Sequence, residues 1–88
     1  MTVSYRIVVK RSAERELRAI PGPDLGRVVN RIRGLATHPR PPGSEKLSEQ
    51  ERYRIRQGVY RIVYEVLDHK LVVLVVKIGH RRDVYRPR

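Results

Sequence analysis

The stretch YRIRQGVYRIVYEV, residues 53–66, decides the fold, because apolar and polar side chains alternate on both sides of a glycine. Alternation over about four to eight residues is typical of a half-buried β-strand. Glycine supplies the positive φ that a tight hairpin turn requires. We therefore predict a β-hairpin over residues 53–66, with Gln57 and Gly58 as its two-residue loop.

This register assigns the charged side chains to one face of the hairpin. Residues equidistant from the loop lie opposite one another, so Arg54 is predicted to face Arg61. Like charges directly opposite in a sheet destabilise it by roughly 0.2–1 kcal/mol, so this pair is better explained by an anionic ligand than by stability. A three-residue loop would flip the faces, and a four-residue loop would keep them. Four residues are predicted to share an open face: Arg52, Arg54, Arg56 and Arg61. The other face is predicted core: Tyr53, Ile55, Tyr60, Ile62 and Tyr64.

Composition favours a polyanionic partner. The chain has 88 residues, enough for one domain with a thin core, and 20 Lys and Arg against 9 Asp and Glu give a formal charge of +11. Nucleic acid is the first candidate, an acidic protein the second and an anionic membrane the third. No apolar run approaches the roughly 18 residues of a membrane span. No signal peptide is recognised either, so the predicted compartment is the cytoplasm.

Metal and redox chemistry have little support in the composition. The sequence has no cysteine, which excludes disulfides and thiolate zinc sites. Its three histidines, His38, His69 and His80, lack metal-ligand spacing. We therefore predict a mechanism without a metal ion or another cofactor.

The N-terminal half predicts one strand and two helices. A first strand is expected over Tyr5–Val9, followed by a helix with Ser12 as its N-cap that ends before Pro21. A second helix starts near Pro23 and continues to about residue 36, with apolar side chains at helical spacing. Its outward face carries Arg27, Arg31 and Arg33, which we interpret as a solvated surface.

The remainder predicts a proline-rich loop and further strands. Residues 38–44, HPRPPGS, cannot continue a helix, and Lys46 is expected to re-enter the fold. Residues 71–78 are nearly continuous hydrophobe, typical of a strand near the sheet centre, and Gly79 suggests a bulge or close backbone approach there. A short edge strand is predicted over residues 82–86. The predicted fold of the single domain 1–88 is α+β, in the order β-α-α-β-β-β(-β), with two N-terminal helices packed on one face of a small, mainly antiparallel sheet.

Two motifs, GVYRIVYEV at residues 58–66 and GHRRDVY at residues 79–85, resemble the RelE family of toxins within the RelE/ParE superfamily. Weaker similarity covers most of the chain, including AEREL at 13–17 and IRGL at 32–35. The resemblance implies the toxin of a type II toxin–antitoxin system. Such a toxin is a ribosome-dependent, metal-independent endoribonuclease that cleaves mRNA in the A site and is held inactive in a hetero-oligomer with a RelB-like antitoxin.

The resemblance also implies which residues are catalytic: Arg54, Arg56, Arg61, Arg81 and Tyr85. The first two stand where lysine is common in the family. Because arginine is effectively never deprotonated in proteins, charge stabilisation is the safer role for Arg54 and Arg56. Arg61 and Arg81 are candidates for stabilising the charge of the pentavalent phosphate, and the general acid is either Tyr85 or His80.

Four further residues are candidates for RNA contact: Lys46, Arg52, His80 and Arg82. Each has an ordinary alternative. Arg52 lies close in sequence to Glu49 and Glu51, which favours a surface ion pair. His80 is equally interpreted as a surface histidine at a strand end, and Tyr85 as a packing residue.

Two other functions compete with the ribonuclease. A ParE-like toxin inhibits DNA gyrase by protein contact, and the resemblance implies that it does not need the Arg and Tyr set. A non-enzymatic nucleic-acid-binding module would bind with a steep salt dependence but would not cleave RNA.

Overall fold

The computed structural model describes residues 3–47 and 51–80 and contains one mixed sheet covered by two helices. The strands are β1 (Arg6–Val9), β2 (Glu45–Lys46), β3 (Arg52–Gln57), β4 (Tyr60–Leu67) and β5 (Val72–His80). The helices are α1 (Arg11–Arg18) and α2 (Gly22–Gly34), and a 3-10 turn covers Asp68–Lys70. This order confirms the predicted α+β architecture.

The sheet has the strand order β1-β5-β4-β3-β2, so the predicted hairpin forms its middle. Strand β1 pairs with β5 in parallel, and the other three pairings are antiparallel. The central position of β4 explains why its sequence is the most apolar part of the hairpin. The predicted edge strand at residues 82–86 lies outside the described residues.

The hairpin loop lies one residue later than the sequence predicted. Gln57 pairs with Tyr60, so the loop is Gly58 and Val59. Gly58 has a φ of 61° at the first loop position, where type II′ turns require glycine. Consequently Arg56, and not Arg54, lies opposite Arg61. The shift changes each pairing by two residues and therefore leaves both faces of the hairpin as predicted.

The two helices pack on the face of the sheet that was predicted to be core. Helix α1 begins after Lys10, which is its N-cap and has no side-chain capping bond. The predicted N-cap Ser12 is therefore wrong, because Ser12 already lies inside α1. Pro23 stands in the first turn of α2, as predicted. Among the described helices, none is both long and apolar enough to cross a membrane.

The core joins α2 to the middle of the sheet. Val28 on α2 and Ile62, Tyr64 and Val73 on the sheet are fully buried. The Tyr64 hydroxyl donates a hydrogen bond of 2.7 Å to the carbonyl oxygen of Pro39. The proline-rich loop is therefore held against the end of the core.

Strand β5 differs in detail from its prediction. It begins at Val72, because Leu71 adopts a left-handed φ of 54° at the end of the 3-10 turn. It continues through Gly79 to His80 without a bulge there. The irregularity lies instead between Val63 and Tyr64, whose partners are Lys77 and Val75.

Arg40 anchors the proline-rich loop through charged contacts. Its guanidinium donates to the Asp68 carboxylate at 2.8 Å, to Glu51 and, through Nε, to the Tyr53 hydroxyl at 2.8 Å. Lys46 of β2 lies 3.0 Å from Glu51. Through these contacts the loop, β2 and the start of β3 hold one another in place.

The buried end of α2 generates a prediction for stability. Leu35 is 1% exposed, whereas Leu47 is 41% exposed. Removing buried methyl groups loses transfer energy and leaves a cavity, so Leu35→Ala should lower the free energy of unfolding by about 2–5 kcal/mol. Leu47→Ala, the matched control, should cost less than about 1 kcal/mol. Urea denaturation measures both, and equal losses would contradict the core described above.

The Arg40 anchor generates a prediction for pH dependence. Hydrogen bonds from Arg40, Lys46 and Tyr53 lower the pKa of Glu51 to about 2, and Arg40 lowers that of Asp68. Both pKa values lie below those of the unfolded chain, so ionisation stabilises the fold at neutral pH. This contribution should disappear as pH falls from about 4.5 towards 2.

Arg40→Gln tests this origin of the acid sensitivity. The variant should be less stable at pH 7 and should lose less stability than wild type on acidification. Urea denaturation at several pH values measures both effects. Arg27→Gln, which removes an exposed ion pair with Asp24 inside α2, should retain the wild-type pH profile. An unchanged profile in Arg40→Gln would show that the anchor does not control it.

Candidate functional site

Four arginines lie on the face of the hairpin opposite the helices, and we call them the arginine face: Arg52, Arg54, Arg56 and Arg61. Alternation along β3 puts the first three on one side of the sheet. Arg61 joins them because it pairs directly across the hairpin with Arg56. The shared face predicted from the sequence is confirmed.

Exposure differs sharply across the arginine face. Arg56 is exposed near the hairpin loop, the Arg54 side chain is 12% exposed, and Arg61 is 6% exposed. The prediction of a fully open face is therefore wrong for Arg61. Its strand, β4, is an inner strand flanked by β3 and β5. Arg61 is therefore much less accessible to water than Arg56.

The Arg56/Arg61 pair is electrostatically unfavourable by itself. Arg56 and Arg61 occupy directly opposite positions in the hairpin, and the β5 residue on the other side of Arg61 is Gly79, which has no side chain. A planar guanidinium presents several donors to phosphate oxygens, and a pair of them can hold one phosphodiester from two sides. This pair is thus suited to an anion with several acceptor oxygens.

Glu45 extends the site onto the edge strand. It lies directly opposite Arg54 in the β2–β3 ladder, and its carboxylate accepts a hydrogen bond from the Arg54 guanidinium. This bond and the charge of Arg54 lower the pKa of Glu45, with smaller contributions from Arg56 and Arg61. The carboxylate is therefore ionised at neutral pH and lies within the field of the arginine face.

Glu45 was not among the site residues predicted from the sequence. A strand of two residues has no periodic pattern, and nothing local shows that it pairs with β3. The nearest signal was Lys46, which was expected to re-enter the fold at this point.

The RNA-contact candidates at the base of the hairpin are engaged with carboxylates. Arg52 forms an ion pair with Glu65 directly across the hairpin. Lys46 lies opposite Tyr53, on the core side of the sheet, with its ammonium 3.0 Å from Glu51. Both pairs are partly exposed, so an anion can compete for them.

His80 lies on the helix side of the sheet. It pairs with Tyr60, and the two rings meet edge to face with centroids 6.2 Å apart. Both rings line a cavity of about 250 Å³ together with Ile20 and Ile78. The structure therefore does not group His80 with the arginine face. Arg81, Arg82 and Tyr85 lie outside the described residues.

The described part of the chain contains no group of three or more His, Cys, Asp or Glu side chains arranged to hold a metal ion. The arginine face offers positive charge to a phosphate, from the exposed Arg56 to the buried Arg61, and the carboxylates of Glu45 and Glu65 lie beside it. Such a site can bind the backbone of a nucleic acid and stabilise additional negative charge on a phosphorus centre.

Comparison with known proteins gives consistent results. The sequence model of a family described as "ParE toxin of type II toxin-antitoxin system, parDE" matches residues 7–85. The protein Toxin RelG of Mycobacterium tuberculosis is 30% identical over 84 residues, covering 93% of this chain and 97% of RelG.

Solved structures also match nearly the full length. A chain of the toxin-antitoxin complex RelBE2 from Mycobacterium tuberculosis superposes with a TM-score of 0.79 at 26% identity, covering 92% of this chain and 95% of that chain. A mutant of the E. coli toxin RelE in the free state gives a TM-score of 0.78 at 25% identity, covering 91% of this chain and 86% of that chain.

The opposed arginines generate a prediction that couples stability to binding. Arg56→Gln should raise the free energy of unfolding by roughly 0.2–1 kcal/mol, because it removes a like charge opposite Arg61. It should also weaken binding to single-stranded RNA and reduce the slope of log K against log salt by about 0.7. Arg33→Gln removes the same charge from the exposed surface of α2 and should change neither quantity as much. Equal effects in the two variants would assign the result to net charge alone. Urea denaturation measures the free energy of unfolding, and fluorescence anisotropy at several salt concentrations measures RNA binding.

Proposed function

Because this chain belongs to the RelE/ParE family of toxins of type II toxin–antitoxin systems, we propose that it is a ribosome-dependent endoribonuclease that cleaves mRNA in the A site. The observation that carries this proposal is the arginine face, where Arg61 is nearly buried directly opposite the exposed Arg56. Like charges directly opposite in a sheet destabilise it, and a bound polyanion would reduce this repulsion.

Cleavage of RNA through the 2′-hydroxyl requires three tasks. The hydroxyl must lose its proton, the charge of the pentavalent phosphate must be stabilised, and the leaving 5′-oxygen must gain a proton. Arg61 supplies charge stabilisation, because a guanidinium that is poorly solvated interacts more strongly with a phosphate than one in water. Arg54 and Arg56 orient the phosphodiester from β3. Arg81 and Tyr85 complete the set that the family resemblance implies, with Tyr85 as the general acid.

Dependence on the ribosome follows from the limited acid–base equipment of the site. General acid–base catalysis usually contributes about 10²–10⁴-fold, and the arginines themselves cannot transfer protons at neutral pH. Fixing the mRNA in a reactive geometry can accelerate the reaction by a far larger factor in favourable cases. The ribosome holds the mRNA codon in the A site and is therefore the partner that supplies the geometry.

A cognate antitoxin is the second proposed partner. The solved relative named above is a toxin-antitoxin complex, and its toxin chain shares the fold over nearly the whole length of this protein. A formal charge of +11 suits an acidic segment that folds over the basic surface. The protein is thereby stored in a hetero-oligomer, in the cytoplasm where ribosomes and messages are found.

A ParE-like inhibitor of DNA gyrase is the alternative, and the description of the matching family model favours it. Gyrase inhibition by protein contact does not require an arginine pair at the centre of the sheet. The two functions are separated by the variants described next.

The ribonuclease should be tested on programmed ribosomes with a defined message. Wild type should cut within the A-site codon and leave naked message nearly uncut. Arg61→Gln should lower the cleavage rate by about 10²–10³-fold, the range for removing one donor to a developing oxyanion. Arg81→Ala should also reduce cleavage strongly, and Arg33→Gln should cleave like wild type.

Thermal unfolding of each variant distinguishes a lost catalytic group from a lost fold. The ribonuclease proposal is wrong if folded Arg61→Gln and Arg81→Ala still arrest growth and gyrase-linked DNA breaks accumulate.

A further inference from the structure

The proposed reaction needs a general base. The arginines cannot provide one, since no guanidinium accepts a proton at neutral pH. We propose that Glu45 is this base and takes the proton from the 2′-hydroxyl of the bound message. The inference rests on the proposed ribonuclease function and deepens it, because it assigns a proton acceptor to the same site.

Geometry places Glu45 where a base is required. Its position in the β2–β3 ladder is directly opposite Arg54, so its side chain projects on the same side of the sheet as Arg56 and Arg61. The Glu45 side chain is 59% exposed, whereas that of its partner Arg54 is 12% exposed. The carboxylate therefore stands at the surface through which an RNA strand must approach, with the guanidinium beneath it.

The short strand that carries Glu45 is held firmly for an edge strand. The Leu47 amide donates to the Arg52 carbonyl oxygen at 2.9 Å, and the Lys46 ammonium lies 3.0 Å from Glu51. Glu51 in turn accepts from Arg40, which fixes the preceding loop. Catalytic groups need such support, because a small displacement of a base costs much of its effect.

The charge state of Glu45 fits the role. Arg54 keeps the carboxylate ionised, so it is ready to accept a proton at neutral pH. An incoming phosphodiester competes for the Arg54 guanidinium and adds negative charge nearby. Both changes raise the proton affinity of Glu45 when substrate is bound.

The balanced step is a transesterification. Glu45 removes the proton from the 2′-hydroxyl as the 2′-oxygen forms a bond to phosphorus. The bond from phosphorus to the 5′-oxygen breaks, and that oxygen takes a proton from the general acid or from water. The products are a 2′,3′-cyclic phosphate and a 5′-hydroxyl, and Glu45 returns its proton to solvent.

Glu65 offers a matched comparison on the same face. It too accepts hydrogen bonds from an arginine of β3, in its case from two nitrogens of Arg52. Its side chain is 24% exposed and it lies at the end of the hairpin away from Arg56 and Arg61. It is therefore a carboxylate of similar pairing without the same access to the opposed arginines.

The test measures single-turnover cleavage on programmed ribosomes with saturating protein. Glu45→Gln should lower the rate by about 10²–10⁴-fold, whereas Glu65→Gln should remain close to wild type. Binding to ribosomes carrying a message with a 2′-deoxy nucleotide at the scissile position should be unchanged or tighter in Glu45→Gln. Formate should restore part of the rate to Glu45→Ala, because a small carboxylate can occupy the vacated position.

The outcomes separate this inference from the function on which it rests. Cleavage by Glu45→Gln at the wild-type rate or faster would show that Glu45 is only a counterion of Arg54. A slow variant without rescue by formate would assign Glu45 to positioning Arg54, and either result overturns the inference while the ribonuclease stands. Failure of wild type to cleave overturns the ribonuclease itself. Thermal unfolding of Glu45→Gln beside Glu65→Gln identifies a loss of fold.

Discussion

The main constraint on this structure is that two arginines lie opposite each other near the loop of the central hairpin. Arg56 and Arg61 pair directly across the hairpin, and Arg61 is almost completely buried. Coulomb repulsion is strengthened where water is scarce, so the surrounding fold must compensate for it. The other face of the same hairpin supplies the compensation, because Ile55, Ile62 and Tyr64 are buried there against the helices.

The separation of an apolar face from a charged face on one hairpin fits the overall composition. An 88-residue chain buries a small fraction of its surface compared with larger domains, and a charge of +11 adds self-repulsion. Carboxylates accordingly pair with two of the arginines: Glu45 contacts Arg54, and Glu65 contacts Arg52. Arg56 and Arg61 lie opposite each other on the same face, where they can bind a phosphate. Stability and function therefore make opposite demands on the same strands.

The proline-rich loop holds in place the edge strand that carries Glu45. Arg40 binds the 3-10 turn, the start of β3 and, through Glu51, the lysine of β2. A loop without regular structure thus fixes the edge strand on which Glu45 stands. Changes far from the arginines, such as protonation of Glu51 or Asp68, can disturb the site by loosening this anchor.

The sequence by itself determined the two helices and the longer strands, the separation of core and charge on the hairpin and the family. Alternation with period two specifies which side chains share a face, and apolar spacing specifies the buried side of α2. The predicted faces are correct although the predicted loop position is wrong, because moving the loop by one residue shifts the pairing by two and preserves the faces.

Only the tertiary structure decided the actual pairs and the burial. Which residue lies opposite Arg61 depends on where Gly58 falls in the turn, and its burial depends on β4 being flanked on both sides. The short strand β2 has no local pattern, so Glu45 joins the site only through long-range pairing with β3. The side of the sheet on which His80 lies is likewise set by its register with Tyr60, a contact between strands that neither segment encodes alone.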